Sequence, residues 1–100
     1  MSHLCFLISK LYNVHTMFYV YFLVSKKDNN IYFGSTNDLK RRLLEHNSGE
    51  CFSTKSRRPF ELRYYESYVN ESDARNRESS LKKDGRSLAQ LKLSISKSLH

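Results

Sequence analysis

The sequence predicts an α/β domain of the α+β type, in which a small three-stranded antiparallel sheet is flanked by helices in the order β-β-α-β-α-α. Two β-branched and aromatic runs flank a short polar tip, as in a β-hairpin. Two later segments combine helical periodicity with capping residues, and a third aromatic run lies between them. The length of 100 residues allows one domain with a modest core.

The first two strands form a predicted β-hairpin. Residues 17–25, MFYVYFLVS, are almost continuously apolar, which indicates a strand buried on both faces. Residues 26–30, KKDNN, form a turn, and residues 31–35, IYFGS, form the second strand. An even number of loop residues would place Tyr21 and Tyr32 on one face of the sheet. An odd number or a bulge would separate them, and the sequence favours neither arrangement.

A helix is predicted over residues 36–49, TNDLKRRLLEHNSG. Thr36 or Asn37 can cap its N-terminus, Asp38 suits the positive end of the dipole, and Gly49 ends the helix. Because successive side chains turn by about 100°, four of them share one arc and face the domain: Leu39, Arg42, Leu43 and His46. Three point into solvent, where Arg41 can pair with Glu45: Lys40, Arg41 and Glu45.

A basic loop with Arg57 and Arg58 leads to the third strand, FELRYYESYV, after Pro59. Asn70 then caps a second helix, NESDARNRESSLKK. On one stripe of this helix lie Ala74, Glu78 and Leu81, and a carboxylate on an inward stripe needs a positive partner. Asp84 and Gly85 interrupt the chain before a single last helix, whose apolar side comprises Leu88, Leu91, Ile95 and Leu99.

Net charge of +7 and a pI of about 9.6 predict an anionic partner, with nucleic acid favoured over an acidic membrane surface. The two cysteines have no CxxC spacing, which argues against a zinc site or a disulfide framework and for a reducing cytoplasm. Residues 1–16 are too interrupted to span a bilayer and lack the pattern of a signal peptide. They are interpreted as an extension outside the fold or as the result of a mis-called start at Met1 rather than Met17. The domain over residues 17–100 carries the motifs.

The inward polar groups have the inventory for phosphodiester hydrolysis: Tyr21, Tyr32, Arg42, His46 and Glu78. A carboxylate can hold a hydrated Mg²⁺, an arginine can bind a phosphate at two oxygens, and a tyrosine or histidine can orient or deprotonate water. Further cations are predicted to hold the nucleic-acid backbone: Lys40, Arg41, Lys55, Arg57, Arg58, Arg63, Lys82, Lys83 and Arg86. Taken singly, each of these residues has an ordinary structural interpretation.

These motifs resemble the GIY-YIG nuclease superfamily. YVY at 19–21 stands where that family has GIY, and YFG at 32–34 stands where it has YIG. The resemblance implies that Arg42 is the catalytic arginine, His46 the family's frequent histidine and Glu78 its metal-binding glutamate. The pattern GSTNDLKRRLLEHNSG…STKSRRPFELRYYESY…DARNRE is similar to the small bacterial UPF0213 branch, and the resemblance covers residues 17–95. The first motif departs from the family in having Tyr19 for glycine, and the second in having Phe33 for isoleucine.

The resemblance implies a metal-dependent endonuclease that cleaves DNA, branched or structured DNA included, with one divalent cation, Mg²⁺ or Mn²⁺, and no organic cofactor. The alternative is a nucleic-acid-binding module with the same fold and little or no turnover. A purely structural domain would leave the charge and the polar cluster unexplained. In the structural interpretation, Glu78 pairs with Arg42 or Arg75. Three further residues are read as caps and turn residues: Ser35, Thr36 and Asn47.

Overall fold

The computed structural model describes residues 17–100, so the question of whether residues 1–16 belong to the fold lies outside the described residues. The strands are β1 (Phe18–Ser25), β2 (Ile31–Thr36) and β3 (Phe60–Tyr68). The helices are α1 (Leu39–Ser48), α2 (Glu71–Lys83), α3 (Gly85–Ser94) and the one-turn α4 (Ser96–Leu99), and a 3-10 turn covers Lys55–Arg57. The order of the main elements confirms the predicted α+β class.

The antiparallel sheet has the order β2-β1-β3. Ser25 N donates to Asn30 O at 3.0 Å, which leaves four residues, 26–29, between these two bonded positions. In the resulting register Tyr21 pairs with Gly34, and Leu23 pairs with Tyr32. Because Tyr21 and Leu23 are two residues apart on one strand, both tyrosines lie on the same face of the sheet. The register therefore decides what the sequence left open.

Each face of the sheet carries its own core. On one face the β1 residues Val20, Phe22 and Val24 pack with Ala74 and Leu81 of α2. The apolar residues predicted for the last helix join this core: Leu88, Leu91, Ile95 and Leu99. On the other face an apolar cluster lies under α1: Tyr21, Tyr32, Leu23, Leu39, Leu43, Phe60 and Leu62. Burial of β1 on both faces confirms the prediction for this strand. The domain has three layers, with α1 on one face of the sheet and the other helices on the opposite face.

Two predicted helix boundaries are wrong. Asp38, rather than Thr36 or Asn37, caps α1, and its side chain accepts from Arg41 N at 3.0 Å. Thr36 is unavailable for capping because β2 runs through it. The predicted last helix is divided at Ile95, where φ is −113°. Ser94 Oγ donates to Gln90 O at 3.1 Å just before the division, a bond of the kind that bends helices.

Other boundaries agree with the prediction. Asn70 caps α2 and accepts from Ser72 N, and Gly49 ends α1 with φ of 85°. Asp84 separates α2 from α3 and caps α3 through Arg86 N. None of the helices within residues 17–100 is long and apolar enough to cross a membrane.

Candidate active site

His46 is the centre of the polar cluster beneath α1, and it is fully buried. The ring centroid of Tyr32 lies 5.0 Å from that of His46, and the ring of Tyr21 lies 5.9 Å away. The Tyr21 hydroxyl oxygen is 3.0 Å from His46 Nε2. The two motif tyrosines therefore meet at one imidazole, which their shared face of the sheet makes possible.

The hydrogen bonds around His46 form one directed chain. Arg42 Nε donates to Tyr21 Oη at 3.3 Å, His46 Nδ1 lies 2.8 Å from Thr54 Oγ1, and Thr54 Oγ1 donates to Cys51 O at 3.4 Å. The guanidinium can only donate and the carbonyl can only accept. Every group has a partner when Tyr21 donates to His46 Nε2 and His46 Nδ1–H donates to Thr54. This assignment makes Nε2 the proton acceptor of the imidazole.

The protonation states agree with this direction. Burial lowers the pKa of His46 below its ordinary 6.5, and the Arg42 charge lowers it further, so the imidazole is neutral at pH 7. Burial raises the pKa of Tyr21 to about 12, although Arg42 opposes the shift. A protonated phenol thus donates to a neutral imidazole, and the phenolic proton has a base beside it.

Arg42 projects from α1 toward the end of the sheet, and about a third of its side chain is exposed. Its Nη1 lies 3.2 Å from Glu45 Oε1. Burial alone would lower the pKa of Arg42, but the bonds to Tyr21 and Glu45 raise it. The predicted Arg41–Glu45 pair is present at 3.9 Å. The expectation that Glu45 points only into solvent is wrong, because this carboxylate also turns toward Arg42.

A cavity of about 360 Å³ lies between α1 and α2 where β1 begins and β2 ends. Arg41 and Arg42 line it from α1, Ser35 lines it from β2, and Ala74 and Arg75 line it from α2. The cavity is open to solvent at the edge strand β2. Two carboxylates, Glu45 and Glu71, complete the lining and pair with its arginines. An anionic group of the size of a phosphate would therefore replace a carboxylate as the partner of an arginine.

Glu78 reaches the same region from α2 through Ser35, whose Oγ donates to Glu78 Oε1 at 2.6 Å. Lys82 Nζ lies 2.6 Å from Glu78 Oε2, so neither Arg42 nor Arg75 is the partner that the structural interpretation expected. Arg75 instead pairs with Glu71 at 2.9 Å. Burial raises the pKa of Glu78, but Lys82 and Ser35 together bring it below the ordinary value, so the carboxylate is ionised.

The donor set at Glu78 fits a hydrated Mg²⁺ or Mn²⁺. Within residues 17–100 no three His, Cys, Asp or Glu side chains converge into a metal-binding group. Mg²⁺ binds through one or two carboxylates and keeps several waters, with phosphate oxygens as further ligands. An ionised, partly exposed carboxylate with a hydroxyl beside it meets that requirement. Lys82 would have to leave one carboxylate oxygen for a cation to bind there.

Tyr32 lies on the α1 face with Tyr21 but makes different contacts. Its ring packs on His46 and on Phe60, whose centroid is 6.4 Å away. Of the five predicted site residues only Arg42 lines the cavity, whereas Tyr21, Tyr32, His46 and Glu78 do not. The structure therefore joins Tyr21, Arg42 and His46 by hydrogen bonds and adds Tyr32 to them by packing, with Glu78 reaching the cavity from the opposite face through Ser35.

Three polar residues contribute more than the sequence indicated. Ser35 was expected to be a cap or turn residue, but it lies in β2 and bonds Glu78. Asn47 was placed in the same class, but its side chain bonds both Phe60 N at 2.7 Å and Phe60 O at 3.0 Å and ties α1 to β3. Thr54 belongs to the basic loop, is fully buried and bonds His46, and no sequence signal singled it out.

The predicted phosphate-binding cations differ in their surroundings. Arg57 binds Asp28 at 2.7 Å, donates to the carbonyls of Asn30 and Ile31, and lies 5.6 Å above the Phe60 ring. Arg63 pairs with Glu61 at 2.8 Å and donates to Ser98 O. The others have exposed side chains: Lys40, Arg41, Lys55, Arg58, Lys82, Lys83 and Arg86. Arg57 and Arg63 are thus held by the fold, whereas the remaining cations face solvent.

The comparisons with known proteins agree with the motifs. The family model described as the GIY-YIG catalytic domain matches residues 17–92. A UPF0213 protein of Bacillus pumilus is 45% identical over 60 residues, which cover 58% of this chain and 61% of that protein. A UPF0213 protein of Listeria welshimeri is 38% identical over 64 residues, covering 63% of this chain and 71% of the relative. A UPF0213 protein of Clostridium perfringens is 41% identical over 85 residues, covering 83% and 88%. No solved structure matches this chain.

Proposed function

Because this chain belongs to the GIY-YIG catalytic-domain family and its UPF0213 group, we propose that it is a divalent-metal-dependent endonuclease that hydrolyses phosphodiester bonds in DNA. The observation that carries the proposal is the directed chain from Arg42 through Tyr21 to a buried, neutral His46. Arg42 lines the cavity between α1 and α2, and Ser35, which also lines it, bonds Glu78.

In the proposed reaction Tyr21 activates the attacking water. The phenolic proton moves to His46 Nε2 as a proton of the water moves to the phenolic oxygen, so the phenol is unchanged and the imidazole carries the net proton. The resulting hydroxide forms the new bond to phosphorus, the bond from phosphorus to the leaving oxygen breaks, and that oxygen takes up a proton from solvent. A phenol whose pKa is about 12 needs this base beside it to act near neutral pH.

The other site residues have separate proposed roles. Arg42 binds the phosphate oxygens and stabilises the charge that develops at phosphorus. A Mg²⁺ or Mn²⁺ bound at Glu78 would neutralise phosphate charge and stabilise the leaving oxygen. Tyr32 positions the imidazole by packing against it. The exposed cations around the cavity hold the DNA backbone.

Cleavage of supercoiled plasmid tests the proposal, with Mg²⁺, with Mn²⁺ and with a chelator. We expect the wild type to nick or cut only with metal, and Tyr21→Phe, Arg42→Ala and Glu78→Gln to lose at least about 100-fold in rate. Lys92→Ala is the control for Arg42→Ala, because it removes an exposed cation on α3 that has no assigned contact with the DNA. Metal-dependent cutting that persists in both Arg42→Ala and Glu78→Gln would overturn the site assignment.

The second candidate is a DNA-binding module without turnover, and one observation favours it. Lys82 Nζ lies 2.6 Å from Glu78 Oε2 and so occupies part of the carboxylate that a cation needs. In that case the wild type would bind the plasmid and branched DNA but cut neither at any metal concentration. Circular dichroism on each inactive variant separates loss of chemistry from loss of fold.

A further inference from the structure

Phe52 is the most exposed large apolar side chain within residues 17–100, with 94% of its surface accessible. It lies in the loop that joins α1 to β3, beside a second open depression on the surface. The residues that line this depression are called the Phe52 patch: Lys27, Phe52, Ser53, Lys55, Ser56 and Arg58. Three of the six are cations, and no carboxylate lines the patch in the described part of the chain.

The cations of the patch keep their charge available to a ligand. Within residues 17–100 neither Lys55 nor Arg58 forms an ion pair. Lys27 Nζ donates one hydrogen bond to Ser56 O at 2.9 Å and retains two further donors. The nearby carboxylate of Asp28 is paired with Arg57. The patch therefore presents an uncompensated positive charge around one aromatic ring.

We propose that the Phe52 patch binds an unpaired nucleotide of the DNA, with the base stacked on the Phe52 ring and the flanking phosphates held by Lys27, Lys55 and Arg58. An aromatic platform next to cations that follow the backbone is the pattern by which proteins hold single-stranded nucleic acid. A base in a duplex has both faces covered by its neighbours, so only an unpaired base can use the ring. A single ring without an amphipathic helix provides little insertion into a membrane.

The loop is anchored to the proposed catalytic site. Thr54, two residues after Phe52, is fully buried and bonds His46. Ser25 Oγ and Lys27 Nζ bond the carbonyls of Arg57 and Ser56, which fixes the far side of the loop to the hairpin. An aromatic side chain on an anchored loop loses less conformational entropy when it stacks than one on a loose loop.

The position of the patch indicates how the DNA would run. Lys27 lies at the tip of the β1–β2 hairpin, whereas the cavity lies at the opposite end of these strands, beside Phe18 and Thr36. The six residues of β2 span about 20 Å at about 3.3 Å per residue. About six stacked nucleotides at 3.4 Å each cover that distance. The inference rests on the proposed function for DNA as the ligand. It narrows the substrate class to DNA with an unpaired nucleotide about six positions from the cleavage site.

A fluorescence titration tests the stacking directly, because the sequence has no tryptophan. The variant Phe52→Trp carries a single tryptophan, at the patch, and excitation at the red edge of the absorption band avoids the tyrosines. It is titrated in chelator, so that no cleavage occurs, with a 12-nucleotide oligothymidylate, with an oligonucleotide of the same length made of abasic sites, and with a 12-base-pair duplex. We expect quenching by the first alone. Equal quenching by the abasic oligonucleotide would overturn the proposal, because that ligand has the charge without the bases.

Affinity measurements provide the second test. Phe52→Ala is expected to bind the oligothymidylate about tenfold more weakly, and the duplex with unchanged affinity. Leu93→Ala is the control, because Leu93 is also exposed (77%) but lies on α3 away from the patch. Equal affinities of Phe52→Ala and Leu93→Ala for the oligothymidylate would overturn the inference. So would a blue shift of Phe52→Trp with phosphatidylserine vesicles but not with DNA, which would assign the patch to membranes.

Failure of this inference and failure of the proposed function are distinguishable. Binding is measured in chelator and does not depend on cleavage, and Arg42→Ala retains the patch. Stacking at Phe52 in a protein that never cuts DNA would support the patch and contradict the endonuclease. Metal-dependent cutting by a protein that binds the oligothymidylate and the abasic oligonucleotide equally would support the endonuclease and contradict the patch.

Discussion

Tyr21 and Gly34 lie directly opposite each other on β1 and β2, and a Cβ atom at position 34 would be 2.9 Å from the Tyr21 hydroxyl oxygen. Tyr21 is 3% exposed, and its hydroxyl contacts both Arg42 and His46, so its ring has no free space to move into. The glycine of the second motif therefore provides the space that the tyrosine of the first motif occupies. The two motifs are one packing unit.

The first prediction follows from this contact. Gly34→Ala should displace the Tyr21 ring, lower the free energy of unfolding by about 1–3 kcal/mol and reduce cleavage at least about tenfold. Urea unfolding and plasmid cleavage measure the two effects. Gly85→Ala is the matched control, because a Cβ atom at that helical position meets nothing within 4 Å. Wild-type stability and activity in Gly34→Ala would show that the ring can move aside.

Thr54 is predicted to hold His46 in its active tautomer. Thr54→Val keeps the shape of the side chain but removes the hydroxyl, which leaves the buried Nδ1–H without its acceptor at a cost of about 1–3 kcal/mol. The imidazole can then place its proton on Nε2, so the turnover rate should fall while DNA affinity is retained. Thr54→Ser should restore turnover, because it keeps the hydroxyl. Equal turnover in the valine and serine variants would contradict this role.

Stability should depend on pH through His46. Its pKa in the folded state is lowered by burial and by Arg42, so between that pKa and 6.5 the unfolded chain binds a proton that the folded chain does not. The free energy of unfolding should therefore rise with pH up to about 6.5 and should show no further contribution from this group above it. Urea unfolding from pH 5 to pH 7.5 measures the slope.

His46→Gln isolates this contribution, because the substitution removes only one titrating group. The difference in unfolding free energy between wild type and variant should change with pH below 6.5 and be constant above it. The cleavage rate of the wild type should fall as the pH is lowered through the folded-state pKa of His46, since a protonated imidazole cannot accept the Tyr21 proton. A difference that stays constant from pH 5 to pH 7.5 would mean that folding does not lower the pKa of His46.

The sequence predicted what depends on local pattern. Continuous apolar runs, the stripe of Ala74, Glu78 and Leu81, and the caps Asn70 and Gly49 are properties of a few adjacent residues, and these predictions hold. The inward arc of α1 follows from helical geometry alone, which is why Arg42 and His46 could be expected to lie near the sheet.

The features that failed or stayed open depend on contacts between distant segments. The shared face of Tyr21 and Tyr32 depends on which backbone groups close the loop, and the bond from Ser25 to Asn30 decides it. The ion pair of Glu78 is the exception, because its partner Lys82 lies four residues further along the same helix, a local spacing that the sequence does contain. Thr54 becomes a site residue only because the loop folds beneath α1, which periodicity cannot reveal.

The ion pair at Glu78 should compete with the metal. Removing Lys82 by Lys82→Met frees the carboxylate oxygen that the ammonium occupies, so the Mg²⁺ concentration for half-maximal cleavage should fall about two- to fivefold, an effect of under about 1 kcal/mol. Lys83→Met is the control, because it removes an adjacent exposed charge. Cleavage measured over a Mg²⁺ series distinguishes the two. A higher Mg²⁺ requirement in Lys82→Met than in Lys83→Met would assign Lys82 to the DNA instead.

Arg57 and Arg58 are adjacent in sequence but differ in environment, and this gives the last prediction. Arg57 bonds Asp28 and two carbonyls of the hairpin and lies over Phe60, whereas Arg58 is exposed. Arg57→Ala should lower Tm by about 4–8 °C, which is the shift that a loss of about 1 kcal/mol in unfolding free energy causes in a domain of this size. Arg58→Ala should leave Tm unchanged and lower the slope of log affinity against log salt by about 0.7 for single strands. A guanidinium that binds the hairpin through three partners cannot also bind DNA without a cost to the fold. An unchanged Tm and a lower salt slope in Arg57→Ala would therefore contradict the prediction and assign Arg57 to the phosphate contact that the sequence predicted.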